Sequence, residues 1–375
     1  MLPKILIASV LKPVDDNRLY HKIALSLAAE YEVHLVGYEG NTEKAAHLNV
    51  HLHPEFRFSR LSYKRLLCVF KLYEWVKKLQ PDVLIVAAVE LLPIVFFIKP
   101  FVKHIIYDIQ EDYYKNIRYQ NIYPKGLKVL LANTIRYLEN TCSKKINCFL
   151  LSEKIYQKDL NFINKNSFLL ENKVSEKYIG TPSYNFISFY DKINISCLVY
   201  GNISKSYFIE KSIQLIKNLN KNKSNISFSL KIVGNCLDNS YKDYLKNIID
   251  LDKAIELAIS KKTICYETIL ENLKNSDVIL MPYQINESNQ ERIPTKFYEC
   301  LAFSKPMIIS KNIYWDNFLE PYQAHISIDF DTEDSEDLKE KILRTVFYPS
   351  FIAEDTYSSK EDLSRLLAYL NSLKY

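Results

Sequence analysis

Short apolar runs alternate with longer amphipathic stretches along most of the chain. Lys4-Ile5-Leu6-Ile7-Ala8-Ser9 opens the series, followed by a polar loop from Lys12 to Arg18 and a helical spacing of apolar residues through Leu27. Glu32-Val33-His34-Leu35-Val36-Gly37 reads as a second strand, Val83-Leu84-Ile85-Val86 as a third and His104-Ile105-Ile106-Tyr107 as a fourth. Helical segments lie between them, so the pattern predicts a parallel sheet covered on both faces. It breaks at Gly180-Thr181-Pro182-Ser183, a turn-rich patch suited to a linker. It restarts at Ile195–Gly201 and continues through Ser229–Gly234, Thr263–Tyr266, Val278–Pro282 and Pro306–Ser310. The reading is therefore α/β, with two Rossmann-like doubly wound parallel-sheet domains, residues 1–182 and 183–350. A helical segment, 351–375, either caps the second domain or crosses back to the first. Two such sheets are expected to face each other across a cleft, with ligands outside the carboxyl ends of the strands.

Length supports two domains, because 375 residues exceed what one core usually holds. The balance of 48% apolar and 25% charged residues is that of a soluble globular chain. Only six glycines are present, against an average of about 7% of residues, so glycine-rich phosphate loops are not the main binding device. Seven cysteines stand singly, with no CxxC pair and no partner histidines at metal spacing, and are read as reduced thiols. The N-terminus lacks an apolar signal segment, which sets the expectation of a cytoplasmic protein. Val83 to Ile106 is too interrupted, by Glu90, Pro93, Lys99, Pro100, Lys103 and His104, to read as a spanning helix.

The net charge of +5 is unevenly placed. Arg57, Arg60, Lys64, Arg65, Lys71, Lys77 and Lys78 interleave with Tyr63, Leu66, Leu67, Val69, Phe70, Leu72 and Trp75, and Lys125 extends the basic stretch further on. Two readings stand: an amphipathic helix resting on anionic lipid at the inner face of the membrane, or a solvated face above a core stripe. No recognition helix or stacking motif accompanies the charge, so nucleic acid is not an expected partner.

The segment from Glu291 to Ile309, Glu291-Arg292-Ile293-Pro294-Thr295-Lys296-Phe297-Tyr298-Glu299 and onward, carries the most specific chemistry. Pro294 suits the first turn of a helix, which puts Glu291 on the preceding loop and Glu299 within the helix. Unpaired amides near Thr295 and Lys296 form an anion site. This string resembles the retaining GT-B glycosyltransferases, the family 4-like or group 1 enzymes. The resemblance implies that Glu291 contacts donor-sugar hydroxyls, that Glu299 holds the nucleotide ribose, and that amides before the helix, at Thr295 and Lys296, hold the donor. Leu198 to Lys205 is similar to the family's strand, glycine turn and basic residue beside the donor phosphates, implying roles for Gly201, Asn202 and Lys205, with Arg292 and Lys296 as further cations. Tyr266, in the reading a strand-end residue, is placed with the donor site.

In the first domain, Tyr107-Asp108-Ile109-Gln110-Glu111 resembles a Tyr-Asp-x-His-Glu motif, with Gln110 where histidine is usual. Asp108 and Glu111 are candidates for sugar binding or catalysis, and equally for helix capping. Asp16, Arg18 and Glu90 are expected to face the cleft on the acceptor side, against the alternative of an N-cap aspartate with a surface arginine. The implied activity is transfer of a sugar from a nucleotide-sugar donor to a glycan or lipid-linked glycan, with retention. Positioned cations and amides do most of that work, no Asp-x-Asp is read at a strand end, and no metal or other cofactor is expected. The alternatives are a non-catalytic sugar-nucleotide-binding or scaffold protein of glycan assembly, or a sugar-nucleotide epimerase.

Overall fold

The computed structural model describes residues 2–373 apart from 41, 43–46, 60–61, 120–123, 164–165, 181–185, 222–224, 251, 263 and the side chain of 125. Arg60, the Lys125 side chain, the linker residues Thr181, Pro182 and Ser183, and Thr263 therefore lie outside the described residues. The chain divides into two compact units, Met1–Tyr178 with Ser358–Tyr375, and Ile179–Tyr357.

The first unit is built on strands β1 (Lys4–Pro13), β2 (Glu32–Tyr38), β3 (Val50–Phe56), β4 (Val83–Val86), β5 (His104–Ile109), β6 (Cys148–Leu151) and β7 (Asn166–Leu169). They lie in the order β3-β2-β1-β4-β5-β6-β7, every pair parallel. The second unit carries β8 (Asn194–Asn202), β9 (Ser227–Asn235), β10 (Ile255–Ser260), β11 (Val278–Met281), β12 (Met307–Ser310) and β13 (His325–Ile328). Their order is β10-β9-β8-β11-β12-β13, again all parallel. Strand order reverses at β1 and at β8, the points at which open α/β sheets take ligands beyond their carboxyl ends.

The central strands β4, β6 and β11 are buried along their whole length, which is why their sequences are unbroken apolar runs. The edge strands are different. β3 reads Val-His-Leu-His-Pro-Glu-Phe and β13 His-Ile-Ser-Ile, and such half-polar segments are hard to tell from loops. The Thr263–Tyr266 segment is not a strand: Ile264 and Cys265 are irregular and Tyr266 opens the helix Tyr266–Asn275. The strand of that region is β10, whose Ile255 to Ser260 pair residue for residue with Leu230 to Asn235 of β9. An Asp-x-Asp does follow a strand, at Asp329-Phe330-Asp331 after β13. It forms a turn, in which Asp329 accepts from the Asp331 amide at 3.0 Å and Asp331 pairs with Lys211 at 2.6 Å.

Two apolar clusters sandwich the first sheet. On one face Leu72 and Val76 of helix Lys64–Leu79 pack with Leu6, Leu84 and Val86, and on the other Leu19 and Ile23 pack with Ile5, Ile7 and Ile85. Leu366 and Leu370 of the C-terminal helix Lys360–Ser372 belong to the second cluster. That helix is tied further by Tyr31 to Asn371 at 2.5 Å and by the Ser359 amide to the Val174 carbonyl at 2.9 Å. None of the seven cysteines is in a disulfide, and Cys265 is the one that is exposed. No helix among the described residues is long and apolar enough to cross a membrane.

Candidate donor site

In the second unit the site is built where β8 and β9 end. Gly201 pairs with Gly234 across these strands, and a Cβ on Gly234 would sit 1.9 Å from the Gly201 carbonyl oxygen. Gly201 itself has φ +97°, a conformation side chains disfavour. The two glycines let the β8 backbone turn sharply at its carboxyl end, and the Lys296 side chain fills the space beside it: a Cβ on Gly201 would be 3.4 Å from Lys296 Cε and 3.7 Å from Nζ.

Lys296 comes from helix Thr295–Ala302. Pro294 stands just ahead of that helix with ψ 137°, rather than inside its first turn, and its carbonyl accepts from the Phe297 amide at 2.9 Å. An extended Pro294 aims the leading amides of Thr295 and Lys296 forward, where no earlier helical carbonyl can meet them. The Lys296 ammonium lies 4.9 Å from the ring centre of Tyr200, 5.4 Å from Tyr283 and 6.0 Å from Tyr207. No carboxylate lies within salt-bridge distance of it among the described residues. Burial holds its pKa below the usual lysine value, with Tyr207 and Glu299 opposing that shift. A buried cation held against aromatic faces, with no carboxylate in contact among the described residues, is a strong attractor for an anion.

One turn along the same helix, Glu299 is buried and both its oxygens are engaged. Tyr200 donates to one at 2.6 Å and Tyr266 to the other at 2.8 Å. Burial, then the neighbouring Glu299 charge, pushes the Tyr200 hydroxyl well above its ordinary pKa, so it stays a donor. Gly201, Lys296, Glu299 and Tyr266 are thus brought together.

Glu291 and Arg292 are half-buried on the preceding loop. Asn312 donates to the Gln290 carbonyl and the Trp315 indole to the Arg292 carbonyl, each at 2.8 Å, which fixes the loop against helix Ile313–Leu319. Tyr314 donates to the Glu291 carboxylate. Thr295 and Asn202 are exposed. Lys205 is exposed as well and stands 3.9 Å from Asp238, so it is not the cation lining Gly201.

The residues singled out in the first unit serve its own architecture in large part. Asp16 caps the helical segment Asn17–Ala24, accepting from the amides of Arg18 at 2.9 Å and Leu19 at 3.0 Å. Arg18 is buried rather than on the surface. Its guanidinium donates to Asp108 through Nη2 at 2.6 Å and Nε at 3.0 Å, and to the Leu170 carbonyl at 2.6 Å. Gln110 donates to the same Asp108 at 2.9 Å, so the residue standing in the histidine position steadies a carboxylate. Glu111 accepts from Asn116 at 2.6 Å, and Glu90 is ion-paired with Arg65. Behind this motif Glu139 is pushed up to about 7, chiefly by burial, while Arg136 and Tyr107 pull it down.

Residues 188–346 match the family model of glycosyl transferases group 1. The second unit carries the group 1 glycosyl transferase pattern. Solved structures show the fold over nearly its whole length. Sucrose-phosphate synthase from Thermosynechococcus elongatus matches with TM-score 0.66 and 12% identity, covering 98% of this chain and 94% of that one. A trehalose-6-phosphate protein of E. coli bound with UDP-2-fluoro glucose matches with TM-score 0.59, 11% identity and coverages of 98% and 95%. The α,α-trehalose 6-phosphate synthase of Burkholderia multivorans gives 0.58, 12%, 98% and 95%. These likenesses make the two parallel-sheet units a GT-B fold. No curated protein sequence matches the chain.

Within the matched segment, sequence reasoning found Tyr266 but not the other tyrosines. Tyr200, Tyr207 and Tyr283 surround Lys296, and Tyr200 also holds Glu299. The available signal was weak: Tyr200 immediately precedes Gly201 in an apolar strand, but 28 tyrosines are spread through the chain.

Proposed function

We propose that the protein transfers a glycosyl group from a nucleotide-sugar donor to a glycan or lipid-linked glycan acceptor, with retention and with no metal ion in the transfer step. The observation that carries this reading is the Lys296 ammonium, held by tyrosine faces beside the Gly201 turn with no carboxylate within 4.0 Å among the described residues. A diphosphate placed there meets that charge and the leading amides of helix Thr295–Ala302. Glu299, presented by Tyr200 and Tyr266, accepts from the ribose hydroxyls, and Glu291 from those of the sugar. Asn202, next in sequence to Gly201, and the cations Lys205 and Arg292 are the further candidates for donor contacts. As the anomeric C–O bond to the diphosphate breaks, a bond to the acceptor oxygen forms on the same face and the acceptor proton passes to a diphosphate oxygen. Lys296 offsets the charge that develops on the leaving group. The UDP-2-fluoro glucose bound to the E. coli protein is a ligand of the class this site suits.

The test is a thermal-shift comparison of nucleoside diphosphates and their sugar conjugates. One base should raise stability by about 2.7 kcal/mol at a hundredfold excess over its Kd, and radiolabelled sugar from that conjugate should appear on an acceptor. If no nucleotide shifts the melting curve, the donor reading fails.

A lipid-linked acceptor is favoured by helix Lys64–Leu79. Only Cys68, Leu72 and Val76 of it are buried, while Leu66, Leu67 and Phe70, with Tyr63 just ahead, project outward beside Lys64 and Lys71. Phe97 of the neighbouring turn is 65% exposed, which extends the apolar strip. Cations flanking outward apolar groups suit anionic lipid. We expect co-sedimentation with phosphatidylglycerol vesicles, at least tenfold weaker with phosphatidylcholine alone or after Leu66→Ser with Phe70→Ser. Equal binding to both lipids, or by the double variant, would discard the membrane contact and leave soluble acceptors.

A further inference from the structure

Three of the chain's seven histidines gather on one face of the first sheet. His34 of β2 is paired in register with His51 of β3, and Val36 with His53. Because side chains two residues apart share a face, Glu32 and His34 on one strand and His51 and His53 on the other project together. The distances are short. His34 Nε2 lies 3.0 Å and His51 Nε2 3.7 Å from the same Glu32 oxygen. One ligand atom from each of Glu32, His34 and His51 falls within 4.8 Å of the others. The rings of His34 and His51 stack with centres 4.6 Å apart.

We propose that Glu32, His34 and His51 bind a divalent transition-metal ion, with His53 as the outer partner that orients His34. Zinc with nitrogen and oxygen ligands at about 2.0–2.2 Å in tetrahedral array needs its ligands roughly 3.3–3.6 Å apart, and small side-chain adjustments bring these three to that spacing. His53 Nε2 lies 3.1 Å from His34 Nδ1, the contact by which a second group fixes the tautomer and leaves the opposite nitrogen for the metal. His53 is itself packed on Trp75, ring centres 4.1 Å apart. His34 is buried, whereas the Glu32 and His51 side chains are 33% and 42% exposed. One side of the cluster is therefore braced by protein and the other open to an incoming ion and a water ligand. The donor set suits Zn²⁺, Co²⁺, Ni²⁺ or Cu²⁺ better than Mg²⁺ or Ca²⁺.

Glu32 is the first residue of β2, so the cluster sits at the amino ends of the parallel strands, opposite the carboxyl ends where α/β sheets do their chemistry. The bound ion would act as a clamp, tying edge strand β3 to β2, and takes no part in sugar transfer. The test uses the full chain with no affinity tag, stripped with chelator and titrated with Zn²⁺ by calorimetry and with Co²⁺ by visible absorption. One ion per chain is expected, with the visible bands of four- or five-coordinate cobalt and a raised melting temperature. Glu32→Gln and His51→Ala should each weaken binding at least as much as the ~10–100-fold typical of lost outer-shell partners, while His47→Ala, a nearby exposed histidine, should leave it unchanged. Wild-type protein that binds neither ion at millimolar concentration, or Zn²⁺ affinity retained in both Glu32→Gln and His51→Ala, overturns the proposal. Because donor binding is read separately by nucleotide thermal shift, failure here leaves the donor reading intact.

Discussion

Lys296→Met should lower kcat/KM for sugar transfer by about 10²–10³-fold, the loss of ~2.7–4 kcal/mol of transition-state stabilisation that removal of one preorganised charge-stabilising donor brings. The same change should leave the unliganded protein as stable as before, or more so. Methionine keeps the length of the side chain among the rings of Tyr200, Tyr207 and Tyr283. It removes an ammonium that has no carboxylate within 4.0 Å among the described residues and whose burial costs free energy. The sign follows from linkage. A lysine whose folded pKa is lowered binds fewer protons in the native state than in the unfolded one, so stability without ligand rises with pH between the lowered value and the ordinary one. In Lys296→Met that rise should disappear. Nucleoside diphosphate binding should weaken together with turnover, whereas Lys205→Ala, which removes an exposed cation 3.9 Å from Asp238, should change kcat/KM far less. Full activity in Lys296→Met would remove the basis for placing the diphosphate at Gly201.

Arg18→Ala should destabilise the first unit by about 3–5 kcal/mol, the cost of leaving a buried charge without its partner. The Asp108 side chain is wholly buried, and its carboxylate accepts from Arg18 Nε and Nη2 and from Gln110. The alanine variant would also abandon the Leu170 carbonyl, which accepts from Arg18 at 2.6 Å. Urea unfolding measures the loss, and the double change Arg18→Met with Asp108→Asn should recover much of it, because removing both charges relieves the desolvation cost. A single variant that loses under ~1 kcal/mol would show that water reaches Asp108 and that the pair is no structural pin. Since Arg18 and Asp108 are 90 positions apart in sequence, their pairing ties the segment after β1 to the end of β5. The pair thereby holds the strand ends on which Gln110 and Glu111 are carried.

How far the sequence reached depended on how local each feature is. The central strands are apolar on both faces, and runs such as Val83-Leu84-Ile85-Val86 are visible without knowledge of neighbours. The helix after Pro294 and the Glu291 to Glu299 spacing are likewise local, since a proline sets one dihedral and the helical repeat sets the rest. The edge strands β3, β7, β10 and β13 escaped, because one-sided burial allows polar residues among the apolar ones, and so did the fully buried β6, whose four residues Cys148–Leu151 are too short a run to stand out. Cys265 and Tyr266 read as strand residues but lead into a helix, a boundary that β-propensity does not see.

The sequence by itself determined two α/β units and the string that resembles the group 1 glycosyltransferases, and it set the expectation of an anion site at the helix start after Pro294 with Glu291 and Glu299 about it. Only the tertiary structure decided which cation faces Gly201, that Tyr200 and Tyr266 hold Glu299, that Arg18 turns inward to Asp108, and that His34 and His51 share a carboxylate. The reason is physical. Periodicity and capping act over a few residues, but the convergence of side chains is set by strand register and crossover, which join positions tens to hundreds of residues apart.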